Sequence, residues 1–203
     1  MLRKEITVFK LGGSLLDLPD LKSRLSEAID LCNSIYPVLV VGGGPLADLV
    51  YDYQSIHKYD DQTGHRLAIQ ALEFNSYLVE SFFTPGQVAH DYRTCKELWV
   101  KGHIPILNPF TFLKSQERAD ENPIPATWSF TTDSISARIS EMLQAGELVL
   151  LKSVRWDSGS SLASAAQSGD IDPFFEKSLK SVPRLTWINM RDHPLIRTCI
   201  RPI

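Results

Sequence analysis

The chain is predicted to fold as an α/β protein around a mostly parallel sheet. Three observations carry this expectation. Short, largely apolar runs occur at Ile6–Leu11, which carries Thr7 and Lys10, and at Pro37–Val41, Ile104–Leu107 and Leu148–Leu151. Stretches of helical period lie between most of them, and glycine clusters follow the first two runs. An apolar run without alternation suits a strand covered on both faces. Strands that alternate with helices return to one sheet through crossovers, which makes neighbours parallel.

The elements follow in order. After the Ile6–Leu11 strand, Asp20–Ile35 places Leu21, Leu25, Ala28, Ile29 and Cys32 at helical spacing. The Pro37–Val41 strand runs into Gly42-Gly43-Gly44 and a helix from about Pro45 to His57, with proline in the first turn. Lys58–Gly64 is polar and reads as a loop, His65–Phe83 as a helix, and Thr84-Pro85-Gly86 as a turn. A short helix at Cys95–Lys101 precedes the Ile104–Leu107 strand. Ser115–Ala126, polar with two prolines, reads as a loop. Thr131–Ala145 is a helix capped by Thr131 or Thr132 and stopped by Gly146. Leu148–Leu151 is a strand ending in Lys152. Asp172-Pro173 opens a short helix to about Leu179, and Leu185–Asn189 is the last strand.

A chain of 203 residues suffices for one substantial core. Its net charge of −3 presents no basic field, so neither nucleic acid nor an anionic membrane is an expected partner. The start has no apolar leader pattern and no run reaches membrane-spanning length, so a cytoplasmic location is expected. Cys32, Cys95 and Cys199 are odd in number and far apart, which argues against a disulfide framework or a zinc site.

Three features bear chemistry: Lys10-Leu11-Gly12-Gly13-Ser14, Gly42-Gly43-Gly44, and Asp133 near a helix start with Lys152 at a strand end. In a parallel sheet the carboxyl ends of the strands share one edge, where ligands bind. Lys10 and Lys152, each read at the end of an apolar strand, can therefore face one crevice. Glycine-rich loops leading into helices bring backbone N–H groups close to phosphate oxygens. Two lysines, two such loops and a carboxylate fit a site for phosphoryl transfer, which needs positioning and charge neutralisation. Asp133 would either hold the lysines or help bind Mg²⁺. Taken singly, each lysine also reads as a solvent-reaching strand end and each glycine cluster as a tight turn.

The segments VFKLGGSLL, VLVVGGGPLADLV, WSFTTDSISARIS and LVLLKSV resemble, in order, those of the amino acid kinase superfamily, which includes acetylglutamate, uridylate and isopentenyl phosphate kinases. The resemblance implies a three-layer αβα sandwich. Residues of about 1–125 would form a phosphate-acceptor lobe and about 126–203 a nucleotide-binding lobe, within one domain. It implies ATP, used with Mg²⁺, as donor to a small phosphate- or carboxylate-bearing acceptor, and a homodimer. Lys10 would stabilise the transferring group, and Gly12, Gly13 and Ser14 would lie along the phosphates. Gly42, Gly43 and Gly44 would face the acceptor; Trp128, just before the Asp133 helix, reads either as a wall of the acceptor pocket or as a core residue. Asp133 would organise the lysines, and Lys152 would contact the nucleotide. Within the superfamily, GGGPLAD, HRLAIQAL and ATWSFTTDSISA are most similar to the small archaeal-type aminomethylfuranyl-methyl phosphate kinases of methanofuran synthesis. The chain departs from the family after Lys152, where Ser153-Val154-Arg155-Trp156-Asp157 stands in place of an Asp-Gly-Val-Tyr-like segment. The nucleotide lobe is accordingly expected to be shortened.

Two other functions compete. A ligand-binding or regulatory protein on the same scaffold would also have a shortened end. Gly42-x-Gly44-x-x-Ala47, with Asp60 or Asp61 as ribose-binding acid, formally matches an NAD-dependent oxidoreductase. That acid should end a strand, however, and IHKYDDQTG does not read as one. His57, His65, Arg66 and Arg138 are candidate contacts for an acidic substrate, with surface or capping roles as the alternative.

Overall fold

The structure is a computed structural model that describes residues 5–117 and 127–200. One seven-stranded sheet organises these residues, in the order β3-β4-β2-β1-β5-β6-β7. The strands are β1 Ile6–Leu11, β2 Tyr36–Val41, β3 Gly86–Ala89, β4 Ile104–Leu107, β5 Glu147–Lys152, β6 Leu185–Asn189 and β7 Arg197–Ile200. All neighbours are parallel except β7, which runs antiparallel to β6. The helices are α1 Leu21–Leu31, α2 Gly44–His57, α3 Asp61–Phe82, α4 Tyr92–Val100, α5 Pro109–Glu117, α6 Thr132–Leu143, α7 Leu162–Gln167 and α8 Phe175–Ser178.

The core explains the unbroken apolar runs. Every residue of β1 and of β5 is buried. Their side chains alternate between two hydrophobic layers. Ile6, Val8, Val38, Val40, Leu148 and Leu150 pack with residues of α4, α6, α7 and α8. Phe9, Leu11, Leu39, Val41, Val149 and Leu151 pack with α1 and with Val79 of α3. Each large side chain buried this way contributes about 2 kcal/mol. This is the expected three-layer αβα sandwich.

Several local expectations are corrected. The loop expected at Lys58–Gly64 shrinks to Lys58, Tyr59 and Asp60. Lys58 turns the chain with a φ of 56°, and Asp60 caps α3 by accepting the Thr63 N–H at 2.8 Å. Gly86 opens the edge strand β3 rather than finishing a turn. α5 takes up the first part of the loop expected at Ser115–Ala126, while residues 118–126 lie outside the described residues. α6 ends at Gln144, with a φ of 53°, before Gly146 is reached. The first glycine pair leads not into an α-helix but into a single 3-10 turn, Gly13–Leu15.

The last strand, β7, is held by a buried acid. Glu147 accepts from the Thr186 hydroxyl and from Arg197 Nη2 at 2.7 Å, with Arg184 more distant at 3.9 Å. Arg197→Ala would strand this carboxylate with too little compensation. Urea denaturation is expected to show a loss of about 2–4 kcal/mol; a loss below about 0.5 kcal/mol would deny Glu147 this role.

Candidate active site

Register and parity build the centre of the site. Lys10 is the penultimate residue of β1, not the last, and pairs with Val40 on one side and Leu150 on the other. Alternation therefore points it to the same face as Ile6 and Val8, toward α6. Lys152 follows Leu148 and Leu150 on that face, one pleat farther along β5. α6 supplies the partner. Asp133, in its first turn, places Oδ1 2.7 Å from Lys10 Nζ and 2.8 Å from Lys152 Nζ. Lys152 Nζ also donates to Asp133 Oδ2 at 2.8 Å and to the Asp170 carbonyl at 2.6 Å. The three residues are only 6 %, 5 % and 8 % exposed for Lys10, Asp133 and Lys152.

One carboxylate between two ammonium groups leaves the cluster one positive charge in excess. Burial pushes the Asp133 carboxyl upward, but Lys10 and Lys152 outweigh it and hold the group below its ordinary range. Burial also pushes the Lys152 ammonium down to about 8; Lys10 adds repulsion, and Asp133 offsets part of both. Such a cluster is poised to accept an anion.

The glycines serve one another. A Cβ on Gly13 would come within 2.1 Å of the Gly44 nitrogen, and one on Gly42 within 2.6 Å of the Gly13 nitrogen. The two glycine loops thus lie backbone against backbone, and no other residue fits the contact. Gly44 in addition has a φ of 52°, a conformation that glycine adopts without strain. The second loop begins α2, whose N-terminus has no side-chain cap. Its N–H groups and dipole are left for a ligand.

A cavity of about 910 Å³ opens at this edge. Of the residues singled out in the sequence, Lys10, Gly13, Ser14, Gly42, Gly43, Gly44 and Trp128 line it. Gly12, Asp133 and Lys152 are not part of its wall. Gly12 is instead a sheet residue in effect, donating its N–H to Leu151 at 2.9 Å. Ser14 donates to the Ser153 hydroxyl at 3.2 Å. The Trp128 indole N–H is bonded to Gln54, and its ring meets Tyr51 edge-on at 5.3 Å. Of the other candidates only His65 lines the cavity, and it is buried. His57 is exposed against Tyr53, Arg66 is exposed, and Arg138 pairs with Glu141 at 3.0 Å.

Three residues unforeseen from the sequence complete the site. Asn75 of α3 is buried and donates from one amide nitrogen to the Gly42 and Gly43 carbonyls, each at 2.7 Å. Its clue was a polar side chain on the apolar stripe of Leu72 and Val79. Asp172, read as the cap of a short helix, accepts the Phe174 N–H at 3.0 Å. Its larger task is distant: it accepts from the N–H groups of Thr131 and Ser134 and from both their hydroxyls. The start of α6 is thereby occupied by a carboxylate, and Asp133 is fixed in place. Arg191, after β6, also lines the cavity; nothing local in the sequence marks it.

The dinucleotide reading fails on Asp60, which caps α3 instead of ending a strand; hydrogen bonds from Thr63 hold its carboxyl low. Cys95 and Cys32 are poor nucleophiles, since burial pushes their thiols up to about 12 and about 11.

The family model for the amino acid kinase family matches residues 5–155, a stretch that ends just beyond Lys152. The chain belongs to the amino acid kinase family. Solved structures agree on the fold of this family member. UMP kinase from Ureaplasma parvum is 13% identical with a TM-score of 0.63, covering 98% of this chain and 99% of that one. UMP kinase from Bacillus anthracis is 12% identical with a TM-score of 0.60, covering 97% and 99%. Uridylate kinase from Archaeoglobus fulgidus is 20% identical with a TM-score of 0.52, covering 77% and 69%. A search of the curated proteins gives no match.

Asp133→Asn removes the carboxylate that, among the described residues, alone pairs with the two buried ammonium groups. The expected cost is about 3–5 kcal/mol at pH 7. It should shrink toward pH 10, because Lys152, whose folded value is lowered to about 8, sheds a proton there that the unfolded chain still holds. In the unmutated chain the depressed carboxyl acts at the other end. Its contribution is complete above the unfolded value of about 3.9 and is lost as pH falls through the lower folded value. Urea titrations at pH 7 and pH 10 test the first statement; an equal loss at both would contradict it.

Proposed function

We propose that this chain is an ATP-dependent kinase that transfers a phosphoryl group to a phosphate or carboxylate oxygen of a small molecule. The observation that carries the proposal is the buried Lys10–Asp133–Lys152 cluster beside two apposed glycine loops on one cavity. In this reading Lys10 meets the charge that develops on the transferring group. Gly13 and Ser14 run along the donor phosphates, and Gly42, Gly43 and Gly44 turn α2's uncapped N–H groups toward the acceptor. Lys152 adds a second positive charge on the nucleotide side. Asp133 holds both lysines at fixed positions, so little reorganisation is needed when charge moves.

Mg²⁺ fits as an ion carried by the nucleotide phosphates. Both Asp133 oxygens are already engaged by lysines, and no group of three acidic, histidine or cysteine side chains able to hold a metal occurs among the described residues. Mg²⁺ commonly binds through substrate phosphates and water, and when bound it neutralises phosphate charge. The choice between organiser and metal ligand therefore favours the organiser for Asp133.

For the acceptor we propose a phosphate monoester of the aminomethylfuranyl-methyl type. The resemblance of HRLAIQAL and ATWSFTTDSISA supports this, and so does the cavity wall, where Ile69, Leu72, Trp128 and Phe130 offer apolar surface to a flat ring. Residues of about 1–125 would serve the acceptor and about 126–203 the nucleotide. A cytoplasmic homodimer belongs to the same reading. It is supported by α2, which buries none of its residues and exposes Leu49, Tyr53 and Ile56.

Lys10→Ala is expected to abolish Mg-ATP turnover, by a factor of about 10³ or more, while the folded state persists. Near-normal turnover in this variant would remove Lys10 from the chemistry. Should the unmutated chain bind no Mg-ATP at millimolar concentration by calorimetry, the non-catalytic ligand-binding reading replaces the kinase.

The Lys152 ammonium supplies a second test. Bound phosphate raises its pKa, so binding is tighter where the free site already carries the proton. Above pH 8 the free site loses that proton, and kcat/KM for Mg-ATP is expected to fall by up to about tenfold per pH unit. Lys152→Arg should move the decline to higher pH. A flat profile from pH 7 to 9.5 in the unmutated chain would exclude Lys152 from nucleotide binding.

A further inference from the structure

We propose that Arg191 is a phosphate-binding residue of this cavity, supplied by the connection between β6 and β7. The proposal rests on the kinase reading above and assigns a contact which that reading leaves open.

The fold delivers this residue to the right edge. Parallel pairing sets Asn189 beside Lys152, and the Met190 N–H donates to the Lys152 carbonyl at 2.7 Å. The chain therefore leaves β6 next to the lysine cluster, one residue before Arg191. The turn is pinned on both sides. Asn189 Oδ1 accepts the Arg191 N–H at 3.1 Å. Arg24 Nη1 donates to the carbonyls of Met190 at 3.0 Å and Asp192 at 2.7 Å. From this base the Arg191 side chain reaches the first glycine loop. Its Nη2 donates to the Ser14 carbonyl at 3.0 Å and to the two Asp17 oxygens at 2.8 and 3.0 Å. It shares the cavity wall with Lys10, Gly13 and Ser14.

One nitrogen carries all of these side-chain bonds. Among the described residues, Nε and Nη1 have no protein partner. A guanidinium offers five N–H donors in a planar fork that matches phosphate oxygens. Anchoring Nη2 fixes the plane and reduces the freedom lost when the remaining donors meet a ligand. Stability alone does not explain the arrangement. The Arg191 and Asp17 side chains are 40% and 65% exposed, and ion pairs so exposed contribute little. The lysine cluster has only one positive charge in excess, whereas a nucleotide polyphosphate carries several negative ones. Arg191 brings a further cation to the same wall, where it is paired with Asp17, and its free Nε and Nη1 donors are the part left to a phosphate.

The test is calorimetric titration of the full chain with inorganic tripolyphosphate in Mg²⁺ and, separately, with adenosine. Arg191→Ala is expected to weaken tripolyphosphate binding by about tenfold or more and to leave adenosine affinity unchanged. Arg191→Lys should recover part of the loss. Asp17→Asn, which loosens the tether but keeps the guanidinium, should cost less than about threefold. Thermal unfolding confirms that each variant is folded. Unchanged tripolyphosphate affinity in Arg191→Ala overturns the proposal, as does an equal loss in Asp17→Asn, because the arginine would then only brace the loop. Absence of tripolyphosphate binding in the unmutated chain overturns it as well. The two readings fail separately. Tripolyphosphate binding through Arg191 without any ATP turnover sinks the kinase and supports the phosphate contact; turnover with an indifferent Arg191 does the reverse.

Discussion

Two ammonium groups on one buried carboxylate are the constraint around which this molecule is arranged. Neither lysine is tolerable at 6–8% exposure without Asp133. Three elements are committed to the cluster: β1 and β5 by register, α6 by its first turn. The sheet must present both lysines on one face, and α6 must begin where its second residue meets them. Asp172, from the chain beyond Lys152, then fastens the start of α6. A residue of the last quarter of the chain thus fixes a carboxylate that serves a lysine near the beginning.

The glycine loops show a second economy. Their usual reading is access of backbone N–H groups to phosphate. Here the closest neighbours of Gly13 and Gly42 are backbone atoms of the opposite loop. Removing side chains lets two strand ends come together, and the shared edge is what brings Lys10, Ser14 and the α2 terminus onto one cavity. Asn75 holds the second loop by two carbonyls that strand pairing leaves free. Access for a ligand follows from the mutual packing of the loops.

The C-terminal region departs in sequence from the family pattern but extends the same sheet. β6 continues the parallel order beside β5, and β7 closes the edge as an antiparallel strand. Trp187 donates to the Val154 carbonyl at 2.8 Å, meets the Trp156 ring at a tilt of 56°, and has its ring centre 5.5 Å from Lys152 Nζ. The region therefore shapes the surroundings of Lys152 directly, and through Arg191 it reaches the first glycine loop.

The fold class, the buried strands β1, β2, β4, β5 and β6, and the lysine, glycine and aspartate centre were legible in the sequence. They rest on local signals: unbroken apolar runs, helical spacing, and residues that interrupt them. Short edge strands such as β3 and β7 left too little period to read, and α5 starts at a proline two residues after β4 and is only nine residues long. Asp172 and Arg191 were illegible for a different reason. Their partners lie 38 to 41 residues away for Asp172 and 174 to 177 residues away for Arg191, so no spacing along the chain encodes them. Sequence by itself determined which side chains carry charge at the sheet's carboxyl edge. Tertiary structure alone decided that Lys10 and Lys152 share one carboxylate, because strand register and the seating of α6 set distances that local pattern cannot.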